Sequence, residues 1–406
     1  MKAIARKYLD FLRQRDVARL TAVALVARMP IGMVGFSMLM YLREALGNYA
    51  LAGSAVGIHF VAIAVSAPVL GRLIDRLGPK RPLLVTGAMH PLALLAVFFA
   101  ARHALPFPLV ALCAAIAGAF SSPITVLTRT VWRHRFEREE DRRTAFSLDA
   151  VTIEINFTVG PALIAAILAA WGSGRAFLVA IAFVVVAVIV FLASPALRYF
   201  KPEAGVERHL LGPLTERRLW LLFICSFGLT TAFGLLEVGY PAYATSLAIP
   251  AFGGVLLAIN SLGSATGGSI FGGLHLKAPI ERQFSTALGL MALPLLLHAI
   301  VTPTWLFAIV AFLAGALIAP SIASQAVLVS RFAPSHYATE AFTWSTTFIV
   351  SGLGAGMALG GALVESVGVR YAFAFASAVV LAMSLLSLAL SGATVTAPRR
   401  GTRAGT

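Results

Sequence analysis

Apolar residues in this chain run in near-unbroken windows of about 20, the length a helix needs to cross a ~30 Å hydrocarbon core. Charged or Pro/Gly-rich stretches separate the windows. Within them hydrophobicity does not alternate with period two, so backbone groups must be satisfied inside each segment, as in a helix. Twelve spans are predicted, at 20–42, 52–70, 82–101, 107–128, 144–170, 176–197, 219–247, 251–273, 284–302, 305–330, 339–364 and 371–392. The eighth and eleventh are glycine-rich, which suits tightly packed membrane helices.

Composition agrees. Of 406 residues 59% are hydrophobic and 12% charged, about half the charge of a soluble domain. The expected fold class is an all-α integral membrane protein in the lipid bilayer of the cell membrane. A net charge of +15 in a soluble chain would suggest nucleic acid, but here the loops explain it. With twelve spans both termini share a side. That side holds 27 of the 32 Lys and Arg, and the opposite loops hold only Arg43, Arg102, Arg175 and Arg370. Basic residues collect in cytoplasmic loops, so both termini are expected in the cytoplasm and no nucleic acid is expected as partner.

Cys113 and Cys225 sit far apart in apolar runs and make neither a disulfide framework nor a metal set. The histidines, His59 and His90 among them, show no metal spacing. No cofactor or metal is expected. The GxxxxGK[ST] nucleotide loop is missing, so ATP does not drive the protein directly. In residues 1–19, Ile4, Tyr8, Phe11 and Leu12 recur at helical spacing and predict an amphipathic segment on the inner membrane face.

The longest connection, 198–218, is charged and Pro/Gly-punctuated. It divides the chain into an N-terminal lobe (20–197) and a C-terminal lobe (219–392), followed by a basic tail (393–406). The halves echo each other. GPAL at 160–163 returns as GMAL at 356–359, and Ala176-Phe177 as Ala372-Phe373, both 196 residues on. Transporters are commonly built from such repeats, with the substrate site where they meet.

The loop between spans two and three reads GRLIDRLGPKR. It resembles the signature loop of the major facilitator superfamily at Gly71, Asp75, Arg76, Gly78, Lys80 and Arg81. Pro79 departs from the basic residue usual there. The resemblance implies two pseudo-symmetric six-helix lobes and a reversible cytoplasmic latch. In that latch Asp75 faces the positive end of the eleventh helix, which begins near Ser335-His336-Tyr337-Ala338-Thr339-Glu340. The alternative is a loop whose basics only set topology. The matching stretch 272–282, GGLHLKAPIER, carries Leu276 where the aspartate would stand, so no second latch is expected. In span five, Gly160-Pro161 resembles the start of the drug/proton antiporter motif, with Ile164 and Ala165 in place of its later glycines. That tilts the expectation toward export, with a proline kink.

Ions inside a bilayer are costly and so mark function or a fixed pair. Three stand out. Glu154 reads either as a proton-carrying carboxylate or as a structural partner of Arg28. Arg28 reads as an anion or partner site in the cavity, or as that pair. Glu237 reads as a proton or cation site, or as the cap of a helix that loosens near Gly239 and Pro241. Asp149 stands near the cytoplasmic end, where it can pair with loop basics, and Glu340 complements a helix dipole. Asn156, Asn260, Gln325 and Trp344 are further cavity candidates, with interhelical hydrogen bonding as the alternative for the amides. Phe36, Tyr240 and Phe342 are candidates for an apolar wall. Span five carries two polar stripes, Asp149/Thr152/Asn156/Gly160 and Ser147/Glu154/Thr158, and either could face the cavity.

Together these features predict a monomeric secondary transporter. It would export a small amphipathic or apolar compound in exchange for protons, by alternating access. Uptake of a small nutrient or lipid-like metabolite by the same fold is the alternative. A membrane-embedded enzyme would need a cluster of His, Asp or Ser at one depth, and none is visible. A ligand sensor without flux is a third class.

Overall fold

The computed structural model describes residues 11–136, 138–199, 212–274, 276–334 and 338–390. Among them are twelve spans long and apolar enough to cross a membrane. We label them α1 (Arg15–Leu46), α2 (Tyr49–Leu77), α3 (Lys80–Arg102), α4a (Phe107–Ala119), α4b (Ile124–Arg135), α5 (Glu139–Trp171) and α6 (Ser173–Leu192) in the first lobe. The second lobe has α7 (Arg217–Ser246), α8 (Phe252–Gly273), α9 (Ile280–Ile300), α10a (Thr304–Gly315), α10b (Ile318–Phe332), α11 (Ala338–Ser366) and α12 (Val369–Ser387).

Three expectations change. The fourth and tenth spans are broken, at 120–123 and at 316–317. Residues 129–135, expected in a loop, continue α4b. Helix α7 does not loosen at Gly239; it runs unbroken through Pro241, as α5 does through Pro161. Phe11 is buried with its ring 5.1 Å from Phe136, so this residue of the N-terminal segment packs on the helix bundle. Ile4, Tyr8, most of the central linker and the tail lie outside the described residues.

The repeat visible in the sequence recurs in the packing. In the first lobe α1 packs on α5 and α6, α2 on α4a, and α3 on α6; in the second α7 packs on α11 and α12, α8 on α10a, and α9 on α12. Gly172 ends α5 at φ +84° and Gly368 ends α11 at φ +102°, again 196 residues apart. Side chains other than glycine rarely adopt such angles. Gly160 of α5 meets Gly32 of α1, and Gly356 of α11 meets Gly234 of α7. Each lobe is therefore closed by the same glycine-to-glycine crossing.

The lobes meet along two seams, which exchange under the same repeat: α2 on α11 and α8 on α5. A Cβ on Gly53 or Gly57 of α2 would lie 2.5 Å from the carbonyl of Met357 or Gly354 on α11. Backbone therefore touches backbone there, as small-xxx-small sequences permit. These contacts lie in the half of the bundle remote from the termini, called the outer half below. Val65 and Val69 are 68% and 59% exposed, and among the described residues nothing lies within 4 Å of where a Cβ on Gly71 would point.

Gly32→Val should destabilise the protein by about 1–3 kcal/mol, the range for overpacking a tight contact. Gly272→Ala, in open space, should not. Thermal unfolding of the purified protein checks both, with a lower Tm expected for the first alone.

Candidate functional site

The structure separates the two polar stripes of α5. Asp149, Thr152 and Asn156 are buried inside the first lobe, on the face where Asn156 and Gly160 meet Gly32 of α1. Glu154 and Thr158 face α8 across the seam. The Ser264 hydroxyl donates to Glu154 Oε1 at 3.4 Å, and Thr158 Oγ1 bonds Ser261 Oγ at 3.0 Å. Ser261 also reaches the Glu154 carbonyl at 3.4 Å. About two helical turns outward, Gly254 of α8 lies against the Pro161 carbonyl, Ala165 and Phe36. Gly160-Pro161 thus seats α5 against α1 on one face and against α8 on the other. Glu154 is half-buried and its described polar contacts are hydroxyls, not cations.

The proposed Glu154–Arg28 pair does not form. Arg28 Nη1 lies 2.7 Å from Asp149 Oδ1, with both side chains almost wholly inaccessible. The geometry follows from the glycine contact: about one turn of α1 from Gly32 and about two turns of α5 from Asn156 lead to Arg28 and Asp149. Thr152 and the Thr125 carbonyl accept from Arg28 at 3.3 and 3.2 Å. Asp149 also accepts from Trp132 Nε1 at 3.2 Å and pairs with Arg129 Nε at 3.3 Å. Burying this pair is paid for by hydrogen bonds on nearly every polar atom, although Arg28 Nε has no partner among the described residues. The cluster ties α1, α4b and α5 together within one lobe.

Other candidates are distributed differently. Glu237 is half-buried on α7. Next to it, Tyr240 is buried inside the second lobe against His298, Phe307 and Phe373. Asn260 donates to the Ala311 carbonyl at 2.9 Å and to Tyr240 Oη at 3.3 Å. Gln325 donates to Ser345 Oγ at 2.6 Å. Both amides act as interhelical bonds within the second lobe. Asn156 is fully buried and neither of its amide atoms has a partner among the described residues. Trp344 is half-buried beside Phe348, while Phe36 is buried and Phe342 exposed.

The signature loop is for the most part not a loop. Gly71 to Leu77 are the last turns of α2, and Gly78, at φ +73°, makes the turn before Pro79 and the start of α3 at Lys80. Among the described residues nothing lies close to Gly71, whereas Gly78 is required by its backbone angle. Arg76 and Lys80 are exposed and Arg81 is exposed beside them. The Asp75 side chain and residues 335–337 lie outside the described residues.

The sequence reading missed the outer contacts of α2. GSAVG (Gly53–Gly57) has the small-xxx-small spacing that signals such crossings. Tyr49 N–H donates to Glu365 Oε2 of α11 at 2.9 Å, and Tyr49 Oη bonds Thr245 Oγ1 of α7 at 2.8 Å.

A sequence profile described as Major Facilitator Superfamily matches residues 20–292. Multidrug resistance protein MdtG from Salmonella arizonae is 28% identical over 169 residues, which is 41% of this chain and 41% of that protein. The MdtG of Salmonella newport matches to the same extent. The aligned part thus spans well under half the length of these relatives. Among solved structures, the nucleoside transporter NupG superposes with TM-score 0.73 at 15% identity, covering 93% of this chain and 99% of that one. The peptide transporter POT in complex with sulfate gives TM-score 0.69 at 15% identity, covering 93% and 94%. At such identity these structures establish likeness of fold.

Asp149→Asn should destabilise the protein by about 3–5 kcal/mol, because it leaves Arg28 buried without its countercharge. Combining it with Arg28→Met should recover most of that loss. A double-mutant cycle on chemical or thermal unfolding reads the coupling.

Proposed function

This chain belongs to the Major Facilitator Superfamily, and from that premise we propose that it is a secondary transporter that exchanges protons for a small amphipathic or apolar compound, moving the compound outward. Both termini are on the cytoplasmic side in this reading, as the distribution of basic residues requires. The carrying observation is Glu154: a half-buried carboxyl on the seam between the lobes, bonded across it by Ser264. A charge shut into a water-excluding seam is costly, so the seam closes more readily over a neutral carboxyl than over an ionised one. Protonation and lobe movement are thereby linked.

In the described arrangement α2 and α11 are in contact at the outer half. In this reading it is the state of the carrier that is closed to the outside. Parting of α5 from α8 would expose Glu154 to the outer water, where it takes up a proton. Return to the present arrangement carries that proton inward, and release leaves a carboxylate able to favour a cationic or polarised cargo. Glu237, half-buried on α7, is a second candidate carboxyl. Asp75 with Arg76, Lys80 and Arg81 would close the inner side when the outer side opens. The partial similarity to MdtG, named a multidrug resistance protein, supports export.

Protein in liposomes with an imposed pH gradient tests this with ethidium, a flat lipophilic cation. Glu154→Gln should lower gradient-driven flux about tenfold or more while ethidium exchange without a gradient persists. Flux unchanged in both Glu154→Gln and Glu237→Gln would reject proton coupling through these groups. Gradient-driven movement in the opposite direction would favour uptake.

A further inference from the structure

A bond across the outer seam ties the first turn of α2 to the far lobe. The first N–H groups of any helix lack partners within it. Here Asn48 caps one of them from α2's own side, accepting from Leu51 N–H at 2.8 Å. The Tyr49 N–H is taken instead by Glu365, which projects from the last turn of α11 in the second lobe, at 2.9 Å. The Tyr49 hydroxyl then reaches Thr245 near the end of α7 at 2.8 Å, and the Arg43 guanidinium lies over its ring at 5.5 Å. Below this, Gly361 leaves no room beneath the Tyr49 carbonyl, so the two backbones stay in contact only while the outer seam is shut.

We infer that Glu365 is the outer latch of the carrier: its carboxylate holds the start of α2 from the opposite lobe and so sets how often the outer side opens. This rests on the alternating-access reading above. A negative group at a helix N-terminus is favourable both as hydrogen-bond acceptor and toward the helix dipole. The bond exists in one state only. When α2 and α11 separate, water takes both groups, Asn48 keeps the helix capped, and α2 is not unwound. The device therefore acts on the balance between states more than on folding. It is the reciprocal of the inner latch expected at Asp75, where a carboxylate on α2 serves the start of α11; here a carboxylate on α11 serves the start of α2.

The test is a distance distribution between nitroxides on Ala45→Cys and Tyr371→Cys, both exposed. The labels sit in a Cys113→Ala, Cys225→Ala background, in nanodiscs, from pH 5 to pH 8. In the otherwise unaltered protein a short distance should dominate, with a minor long one. Glu365→Ala should raise the ratio of long to short about fivefold, the equivalent of one hydrogen bond to an exposed carboxylate. Glu365→Gln, which keeps an acceptor without charge, should raise it about threefold. Thr245→Val should raise it without touching the carboxylate, and carries the test if Glu365→Ala does not fold. A ratio unchanged by Glu365→Ala, in a protein that still shows two distances, overturns the latch and leaves alternating access standing. A lowered Tm with an unchanged ratio reduces Glu365 to a structural cap and overturns it also. One distance at every pH and in every variant overturns both.

Discussion

Everything in this molecule depends on places where main chain can touch main chain in a medium that offers no hydrophobic drive between helices. Lipid tails are as apolar as leucine, so helices hold together through close packing and the polar bonds that packing permits. Glycine supplies the closeness. Gly32 on Gly160 and Gly234 on Gly356 fix each lobe, and Gly53 and Gly57 on α11 join the lobes. The first two crossings sit inside a lobe, where permanence is useful. The third sits between lobes, so it can be made and lost without disturbing either core.

The charged groups are arranged around this framework by the same logic. Asp149 lies on the permanent side of α5, and Arg28, Arg129 and Trp132 saturate it. Such a site gains little from a passing ligand and much from staying intact. Glu154 lies five residues on, turned toward the seam, and meets only hydroxyls there. One helix thus carries a buried ion pair on one face and a half-buried carboxyl at the lobe seam on another. Facing directions 180° apart would not be needed; a third of a turn is enough to separate structure from transport.

Much of this was legible beforehand. Span number and approximate limits followed from window length, since no other secondary structure satisfies backbone groups in hydrocarbon. The halfway repeat also followed, and its offset of 196 reappears in Gly172 and Gly368. The breaks in the fourth and tenth spans were not legible, because Phe120-Ser-Ser-Pro123 and Ala316-Leu317 interrupt apolar runs without any charge. The partner of Arg28, for which Glu154 was one alternative, is Asp149. It could be fixed only once the Gly32–Gly160 contact set the register between α1 and α5. Glu365 carries no sequence signal at all: it is one acid near a helix end, and its partner is a backbone N–H 316 residues away.

The central claim is that the α5–α8 seam is wet from one side at a time. Ser264→Cys in a background lacking Cys113 and Cys225, probed with a membrane-impermeant maleimide on oriented vesicles, tests it most directly. The account predicts slow labelling from the outer side at rest and faster labelling there during proton-driven turnover, with inner-side labelling falling in step. Equal labelling from both faces, or outer labelling indifferent to turnover, would contradict it.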